Sequence, residues 1–309
     1  MLDKTERETT VRPLVVLTDM SIRSEATARL GEHCEVRVLP GAYPAEDMLI
    51  AACTNADAIL ARLGTVTRRV IEAAPRLRII ARHGVGVDAV DLEAATARGI
   101  VVTTTGAINA AAVAEYTFAL LLALARKVLQ ADAGMRQGTW LRDPLVGMEL
   151  DGKTLGIVGL GSIGQRVARQ ALGFGMRVIT HDLNAPTPPD AAIRMVSLAE
   201  LLASADVVTL HTRFTPGTAK LIDAAALAAM RPSALLVNTA RGELVDEAAL
   251  TAALRSGSLT GAALDTFAEE PLPAESPRAR CPTWSCRRTW PGRPQKPSSK
   301  WGWRRPMRS

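Results

Sequence analysis

The chain has 309 residues, 48% of them hydrophobic, which is enough for two domains of ordinary size, each with its own core. The longest strongly apolar stretch, Phe118–Ala125, is too short to span a bilayer, so a buried helix and no membrane partner are predicted. Residues 1–7 carry charges of both signs without the apolar core of a secretion signal, which favours a cytoplasmic protein. The cysteines have neither CxxC nor metal-ligand spacing, so reduced thiols and no metal site are expected at Cys34, Cys53, Cys281 and Cys286.

The net charge of +6 is concentrated at one end of the chain. Residues 277–309 hold eight Arg, two Lys and no acid; removing these ten from the 37 basic residues leaves 27 against 31 acids, or about −4 for the rest. A basic tail that contains tryptophan is typical of nucleic-acid binding through phosphate contacts and base stacking. A shifted reading frame explains this tail better, so no nucleic-acid partner is expected.

The first hundred residues alternate short apolar runs with helical patterns. Strands that alternate with helices predict a parallel sheet with helices on both faces. We therefore expect a first doubly wound α/β domain at residues 1–103. The predicted strands are Leu14–Leu17, Glu35–Leu39, Ala58–Ala61, Ile79–Ala81 and Ile100–Thr103, and the predicted helices are Glu25–His33, Ala45–Cys53, Arg69–Ala74 and Asp91–Arg98.

A strand, a tight glycine turn and a helix follow one another at Thr154–Gly173. In the turn, Gly159–Gly164, one glycine makes the bend, one lets the backbone approach a pyrophosphate, and one lets the helix pack on the strand. The free N–H groups at the start of such a helix bind phosphate. The next apolar run, Met176–Thr180, is followed by Asp182, an acid that can bind the ribose hydroxyls of NAD and repel a 2′-phosphate. The sequence predicts an NAD site, and the alternative is a glycine turn without a ligand.

The rest of the second domain, residues 104–276, repeats the same plan. A long helix is predicted at Ala110–Leu129, between the two sheets, and strands are predicted at Val207–Leu210, Leu235–Asn238 and Ala262–Asp265. Ligands of open α/β sheets bind at the carboxyl ends of the strands. Arg241 follows one such strand, and its fork of N–H donors suits a carboxylate. Two or three acids follow the next strand, at the same edge.

Five motifs together resemble the D-isomer-specific 2-hydroxyacid dehydrogenases, the group that contains phosphoglycerate, glyoxylate/hydroxypyruvate and D-lactate dehydrogenases. The resemblance covers about Leu14 to Pro277. It implies a flavodoxin-like substrate-binding domain, a Rossmann domain that binds NAD, and oxidation of a small D-2-hydroxy acid or reduction of the 2-oxo acid. It also implies a homodimer with the helix Ala110–Leu129 near the interface. The motifs are Gly84–Asp88, Asn109–Glu115, Gly159–Gly164, Asn238–Asp246 and Ala263–Pro271.

The resemblance also implies roles for single residues. Arg241 would hold the substrate carboxylate and carbonyl oxygen, the backbone N–H groups of Val85 and Gly86 would complete the carboxylate cradle, and Glu270 would partner a catalytic histidine. Asp265 would contact the nicotinamide carboxamide. Asp182 would bind the adenosine ribose. The remaining cofactor contacts would come from Gly159, Gly161, Ser162, Ile163, Gly164, Thr212, Thr239 and Ala240; after Thr212 the family usually has a proline, where this chain has Arg213.

Each of these residues also has a purely structural interpretation. Arg241 would then be a surface arginine at a helix start, and Glu270 a solvated acid beside Glu269. The residues around Val85 and Gly86 would be a bare turn. Two histidines near the expected site, His83 and His211, are more simply explained as bystanders than as the acid–base.

The reaction needs a proton donor to the forming alkoxide, and the family takes it from a Pro-His segment about twenty residues after the glutamate. No histidine follows Glu270 here: the histidines are His33, His83, His181 and His211. Read one base earlier from Cys281, however, twelve successive codons can spell Leu-Pro-Asn-Val-Val-Leu-Ser-Pro-His-Val-Ala-Gly. That is a buried strand followed by the missing Pro-His segment. We therefore expect residues 277–309 to be an aberrant, disordered tail that is out of frame, through a frameshift or a sequencing error.

Two functions remain open from the sequence. The first is an NAD-dependent 2-hydroxyacid dehydrogenase that is impaired by the loss of its histidine. The second is a non-catalytic NAD-sensing protein of the corepressor type. The retained Arg241 and Glu270 favour descent from an enzyme, because a binding protein has less reason to keep both. Which 2-hydroxy acid is bound does not follow from the fold.

Overall fold

The computed structural model describes residues 12–22, 24–140, 145–184, 187–270 and 272, and the backbone of Trp284–Cys286. The chain divides between Ile108 and Asn109 into two compact units. Both contain a parallel sheet with helices in most of the connections between strands, so the predicted α/β class is confirmed. Apart from Trp284–Cys286, the predicted disorder of the tail lies outside the described residues.

The first unit contains a five-stranded parallel sheet in the order β2-β1-β3-β4-β5. This is the flavodoxin-like order, in which the strand order reverses between β1 and β3. Residues from the three central strands, Val16, Ile59 and Ile80, are fully buried and form the middle of its core. The strands are β1 (Leu14–Leu17), β2 (Glu35–Val38), β3 (Ala58–Ala61), β4 (Ile79–Arg82) and β5 (Val101–Thr104), and the helices are α1 (Ser24–Gly31), α2 (Glu46–Cys53), α3 (Arg68–Glu72) and α4 (Leu92–Ala97).

The second unit contains a parallel sheet in the order β12-β11-β10-β9-β6-β7-β8. Counted from β6, this is the Rossmann order 3-2-1-4-5-6 with one further strand, and it reverses between β6 and β9. A ligand crevice is therefore expected beyond the carboxyl ends of β6 and β9. The strands are β6 (Thr154–Val158), β7 (Arg177–His181), β8 (Ile193–Met195), β9 (Val207–Leu210), β10 (Leu235–Asn238), β11 (Gly261–Leu264) and β12 (Trp284–Cys286).

Helices cover both faces of this second sheet. One core cluster joins α5 and α7 to strand residues such as Leu235 and Val237, and another joins α8, α9 and α10 to their neighbour Leu236. Alternate side chains of a strand point to opposite faces, so a strand with helices on both sides is apolar at every position. The helices are α5 (Ala110–Ala125), α6 (Val128–Arg136), α7 (Ser162–Gly173), α8 (Leu198–Ser204), α9 (Ala224–Ala229) and α10 (Glu247–Ser256).

The long helix predicted at Ala110–Leu129 is two helices. Lys127 lies in the left-handed region, with φ of 51°, and this breaks the chain between α5 and α6. The helical stretch Gly106–Ala125 is long and apolar enough to cross a membrane by length and composition. Its residues Ala114, Phe118 and Leu121 are buried in the core cluster with α7 and the sheet, as in the core helix of a globular domain.

The tail contributes one element to the sheet. The sequence predicted no strand after β11, yet the backbone of Trp284–Cys286 forms β12 and pairs in parallel with Ala262–Leu264. These are the positions at which the shifted reading frame would encode Val-Val-Leu. Trp284–Cys286 lack that apolar run, so the side-chain pattern did not predict the strand that their backbone forms.

Candidate active site

The predicted cofactor residues of the second unit gather at one edge of its sheet. The glycine turn (Gly159–Gly164), Asp182, Thr212, the arginine turn (Thr239–Gly242) and the acidic loop (Asp265–Glu270) follow β6, β7, β9, β10 and β11. These strands are hydrogen-bonded neighbours and all run in the same direction. Their carboxyl ends therefore form one continuous rim.

Two glycines of the glycine turn are required by close backbone contacts. Gly159 has φ of 98°, and a Cβ there would lie 2.7 Å from the backbone of His211 and Thr212. A Cβ on Gly164 would lie 2.0 Å from the carbonyl oxygen of Gly159. Only glycine lets α7 and the loop after β9 approach the turn this closely.

Gly161 has a different environment, because no atom lies within 4 Å of the position its Cβ would take. It is the N-cap of the 12-residue helix α7, and no side chain caps this end. The N–H groups of Ser162 and Ile163 follow it in the first turn, at the positive end of the helix dipole. This cradle fits the pyrophosphate of a dinucleotide.

Asp182 is held beside the glycine turn by two backbone hydrogen bonds. One carboxylate oxygen accepts from the N–H of Leu160 at 2.6 Å and the other accepts from the N–H of Asn184 at 2.7 Å. The side chain is half-buried at the end of β7. Its position links the phosphate cradle to the place where an adenosine ribose would lie.

His211 directly follows β9, next to the glycine turn. Its ring Nε2 hydrogen-bonds the Thr209 hydroxyl at 3.0 Å, and burial lowers the pKa of the imidazole to about 3. The ring is therefore uncharged at neutral pH. Thr212 follows it half-buried, and Arg213, at the position of the usual proline, is exposed.

The arginine turn is braced by the buried Asn238. Its side-chain amide donates to the carbonyl of Arg241 at 2.8 Å, and its side-chain oxygen accepts from the N–H of Ala240 at 2.9 Å. The Thr239 hydroxyl donates to that of Thr117 on α5 at 3.0 Å, since Thr117 itself donates to a backbone carbonyl. Arg241 is thereby fixed at the rim in an extended conformation, half-buried.

The acidic loop is held at three points. The N–H of Phe267 donates to Glu270 at 3.0 Å, and the N–H of Ala268 donates to the buried Glu247 of α10 at 2.8 Å. A Cβ on Gly242 would lie 1.9 Å from the carbonyl carbon of Phe267, so the arginine turn and the acidic loop are in close contact. The role of Glu247 was not predicted, because its partner Ala268 is 21 residues away in the sequence and only the fold brings the two together.

Asp265 has an unusual electrostatic environment. Burial and, second, the nearby charge of Glu270 raise the pKa of its carboxyl to about 6, while Tyr116 acts in the opposite direction. Its Oδ1 atom is buried, and no described group hydrogen-bonds it. A buried acceptor without a donor fits the amide N–H group of a nicotinamide carboxamide.

The predicted substrate residues of the first unit follow β4. Val85 is 46% exposed, and Gly86 lies next to it in the same loop. The loop is anchored by the N–H of Thr105, which donates to the carbonyl of Gly84 at 3.1 Å. His83 directly precedes this loop. Its pKa is lowered, chiefly by burial and secondly by the positive charge of Arg62.

Comparison with known proteins identifies the family. Residues 118–287 match the profile described as D-isomer specific 2-hydroxyacid dehydrogenase, NAD binding domain. The chain is 45% identical over 262 residues to D-3-phosphoglycerate dehydrogenase of Mycobacterium tuberculosis, which covers 84% of this chain and 49% of that protein. It is 38% identical over 275 residues to glyoxylate reductase of Korarchaeum cryptofilum. That match covers 86% of this chain and 82% of that protein.

A solved structure supports the same conclusion. The NAD-dependent formate dehydrogenase from Staphylococcus aureus in complex with NAD superposes with a TM-score of 0.81 at 31% identity, over 89% of this chain and 88% of that one. The chain spans about half the length of the D-3-phosphoglycerate dehydrogenases that it matches. The predicted resemblance and the predicted NAD cofactor are confirmed, and the chain belongs to the D-isomer-specific 2-hydroxyacid dehydrogenases.

Proposed function

We propose that this chain is an oxidoreductase that uses NAD to interconvert a small D-2-hydroxy acid and its 2-oxo acid. The supporting observation is the single rim on which the glycine turn, Asp182, Arg241, Asp265 and Glu270 lie. The first domain, residues 1–103, would bind the substrate with the N–H groups of Val85 and Gly86. The second, residues 104–276, would bind the cofactor. The proposed location of the protein is the cytoplasm.

The residues of the rim are suited to distinct parts of the cofactor. The first turn of α7, with Gly161, Ser162 and Ile163, would hold the pyrophosphate, and Asp182 would hold the ribose. Thr212, Thr239 and Ala240 would line the crevice toward the nicotinamide, whose carboxamide would donate to Asp265. The bound cofactor supplies the hydride in this chemistry.

Arg241 is suited to orient the substrate. Its guanidinium can bind the carboxylate with two N–H groups and polarise the neighbouring carbonyl oxygen, where negative charge develops during reduction. Its backbone is fixed by Asn238, so little freedom has to be lost on binding. Glu270 would orient a histidine that donates the proton, as the resemblance implies.

The proton donor is the missing part of this site. No histidine follows Glu270 in the sequence. His211 is neutral, with a pKa of about 3, and His181 has one ring nitrogen 3.1 Å from the carbonyl of Val196. We therefore propose that the chain binds NADH but reduces 2-oxo acids about 10²–10⁴-fold more slowly than a version with the histidine.

The test is NADH oxidation with glyoxylate, hydroxypyruvate and pyruvate, measured on this chain and on a version in which the shifted frame is restored. We expect NADH binding by both and rapid turnover only by the restored version. Typical dehydrogenase rates from the present chain would contradict the proposed role of the missing histidine.

The absence of a histidine after Glu270 also supports a second function, a non-catalytic NAD-sensing protein. The same assay separates the two. If the restored version binds NADH but reduces none of the three acids, while a ligand-dependent partner is found, the sensing function is favoured.

We further propose that the intact protein is a homodimer. Several apolar side chains after α5 are exposed, and the burial of such a patch against a second copy would be favourable. Light scattering of the restored version should give twice the mass of one chain, and a clean monomer would refute this proposal. The exposed side chains are Val128, Leu129, Met135, Trp140 and Val146.

A further inference from the structure

Glu247 is the first residue of α10, and only 8% of its surface is exposed. Among the residues that the structure describes, no other glutamate is buried. A buried carboxylate is costly unless polar groups bind it. Capping of the helix does not explain the burial, because Asp246 already caps α10 and accepts from the N–H groups of Ala248 and Ala249, both at 3.1 Å. The contacts of Glu247 outside its own helix therefore need an explanation.

The Glu247 carboxylate binds the acidic loop. Its Oε1 accepts from the N–H of Ala268 at 2.8 Å. The N–H of the preceding residue, Phe267, donates to Glu270 at 3.0 Å. Two neighbouring N–H groups are thus bound by two carboxylates, one from α10 and one from the loop itself. The stretch of backbone that Glu270 binds is therefore anchored to α10 by Glu247.

The same stretch of backbone packs on the arginine turn. A Cβ on Gly242 would lie 1.9 Å from the carbonyl carbon of Phe267, so the two segments are in contact through their main chains. The arginine turn leads directly into α10, because the N–H of Val245 donates to the carbonyl of Gly242 at 3.0 Å and the helix begins two residues later. Glu247 therefore joins the acidic loop to the segment that carries Arg241.

The start of α10 is itself held in place from the loop after β9. The ammonium group of Lys220 lies 2.9 Å from Oδ2 of Asp246, and the N–H of Asp246 donates to the carbonyl of Ile222 at 3.0 Å. A hydrogen bond to an ionised carboxylate is stronger than one between neutral groups. Because Glu247 follows directly on this fixed segment, its hydrogen bond can fix the acidic loop with little loss of freedom.

We propose that Glu247 is a positioning residue that fixes the acidic loop against the arginine turn. It would thereby set the places of Asp265 and Glu270 relative to Arg241. This rests on the proposed function, in which Arg241 binds the substrate and the two acids serve the nicotinamide and the proton donor. Glu247 would touch neither substrate nor cofactor, because it acts through the backbone of Ala268.

The first measurement needs no ligand. Hydrogen exchange of the chain, followed by mass spectrometry, reports on the amides of the acidic loop. Glu247→Leu keeps a side chain of similar size without an acceptor, and it should speed exchange at Phe267 and Ala268 about 10-fold or more, the scale of a hydrogen bond to a charged group. Glu247→Gln keeps an acceptor oxygen and should restore most of the protection. The matched control is Glu200→Leu, at an exposed first-turn glutamate of α8, which should leave exchange in the loop unchanged.

The second measurement is calorimetric titration of the same variants with NAD⁺ and with ADP-ribose. ADP-ribose lacks the nicotinamide and reports on the rest of the site. Glu247→Leu should weaken NAD⁺ binding about 3–10-fold and ADP-ribose binding less than about 2-fold, because the loop that carries Asp265 is released while Asp182 and the glycine turn are not. Glu247→Gln should bind NAD⁺ within about 2-fold of the original chain.

An independent variant displaces the loop from the other side. Gly242→Ala must push the acidic loop away from the arginine turn, so it should show the same faster exchange and the same selective loss of NAD⁺ binding. It also serves as the test if Glu247→Leu does not fold.

Unchanged exchange in the loop of Glu247→Leu would overturn the inference. Equal losses of NAD⁺ and ADP-ribose binding would overturn it too, because they indicate general structural damage, and so would a Glu247→Gln variant as impaired as Glu247→Leu. If the original chain binds neither ligand, the proposed function fails, and the exchange measurement alone decides whether Glu247 fixes the loop.

Discussion

Asp182 is fixed by the backbone N–H groups of Leu160 and Asn184, and in the proposed site its carboxylate would meet the adenosine ribose. A 2′-phosphate at that site would be repelled and would meet no compensating donor from the carboxylate. Asp182→Ala should therefore narrow the preference for NADH over NADPH, chiefly by improving NADPH binding. Fluorescence titration with both reduced cofactors measures this, and equal or tighter NADPH binding by the original chain would refute the basis of the preference.

Arg241→Lys tests the substrate anchor in the frame-restored protein. Lysine keeps the charge but loses the two-pronged contact, so kcat/KM for glyoxylate should fall by the equivalent of about 1.5–3 kcal/mol. Arg255→Lys, an exposed arginine in the last turn of α10, is the matched control and should have no effect. Near-normal efficiency of Arg241→Lys would mean that the carboxylate binds elsewhere.

Asp182 and Arg241 could be predicted from the sequence because each closely follows the end of a predicted strand. Glu247 was missed for a physical reason. It belongs to no local motif with a chemical meaning and looks like an ordinary first-turn acid of α10. Its partner, the N–H of Ala268, is supplied only by the tertiary fold.

At the scale of elements, the glycine turn allows a matched pair of variants. Gly161→Ala enters open space, so it should change the free energy of unfolding by no more than about 1 kcal/mol while obstructing the phosphates. Gly164→Ala must displace the Gly159 carbonyl and should destabilise by about 1–3 kcal/mol or more. Thermal unfolding and NADH titration together measure this. Stable Gly161→Ala protein with normal NADH affinity would contradict a phosphate site at α7.

The strands were predictable where both faces are buried, since β6, β9 and β10 are apolar or small at nearly every position. β8 was not predicted, because it has three residues and only Ile193 is buried. The break at Lys127 was also missed. Lysine has no special preference for the left-handed conformation, so the residue type gives no signal for this turn.

At the scale of the whole molecule, restoring the shifted frame upstream of the Cys281 codon is the decisive change. We expect a histidine near position 289, a Pro-His segment after β12 and an alanine-rich helix beyond it. The restored protein should be a dimer that reduces 2-oxo acids with NADH, measured by light scattering and NADH absorbance. Restored protein without activity would contradict the enzymatic function but not NAD binding.

β12 shows how unevenly the proposed change of reading frame would act on this fold. The backbone of Trp284–Cys286 pairs with β11 in a regular parallel register, although the shifted frame would encode Val-Val-Leu at these positions. Catalysis has no such tolerance, because it needs one imidazole at one place. The proposed lesion would thus separate two functions: the cell would retain a protein that captures the dinucleotide without consuming it.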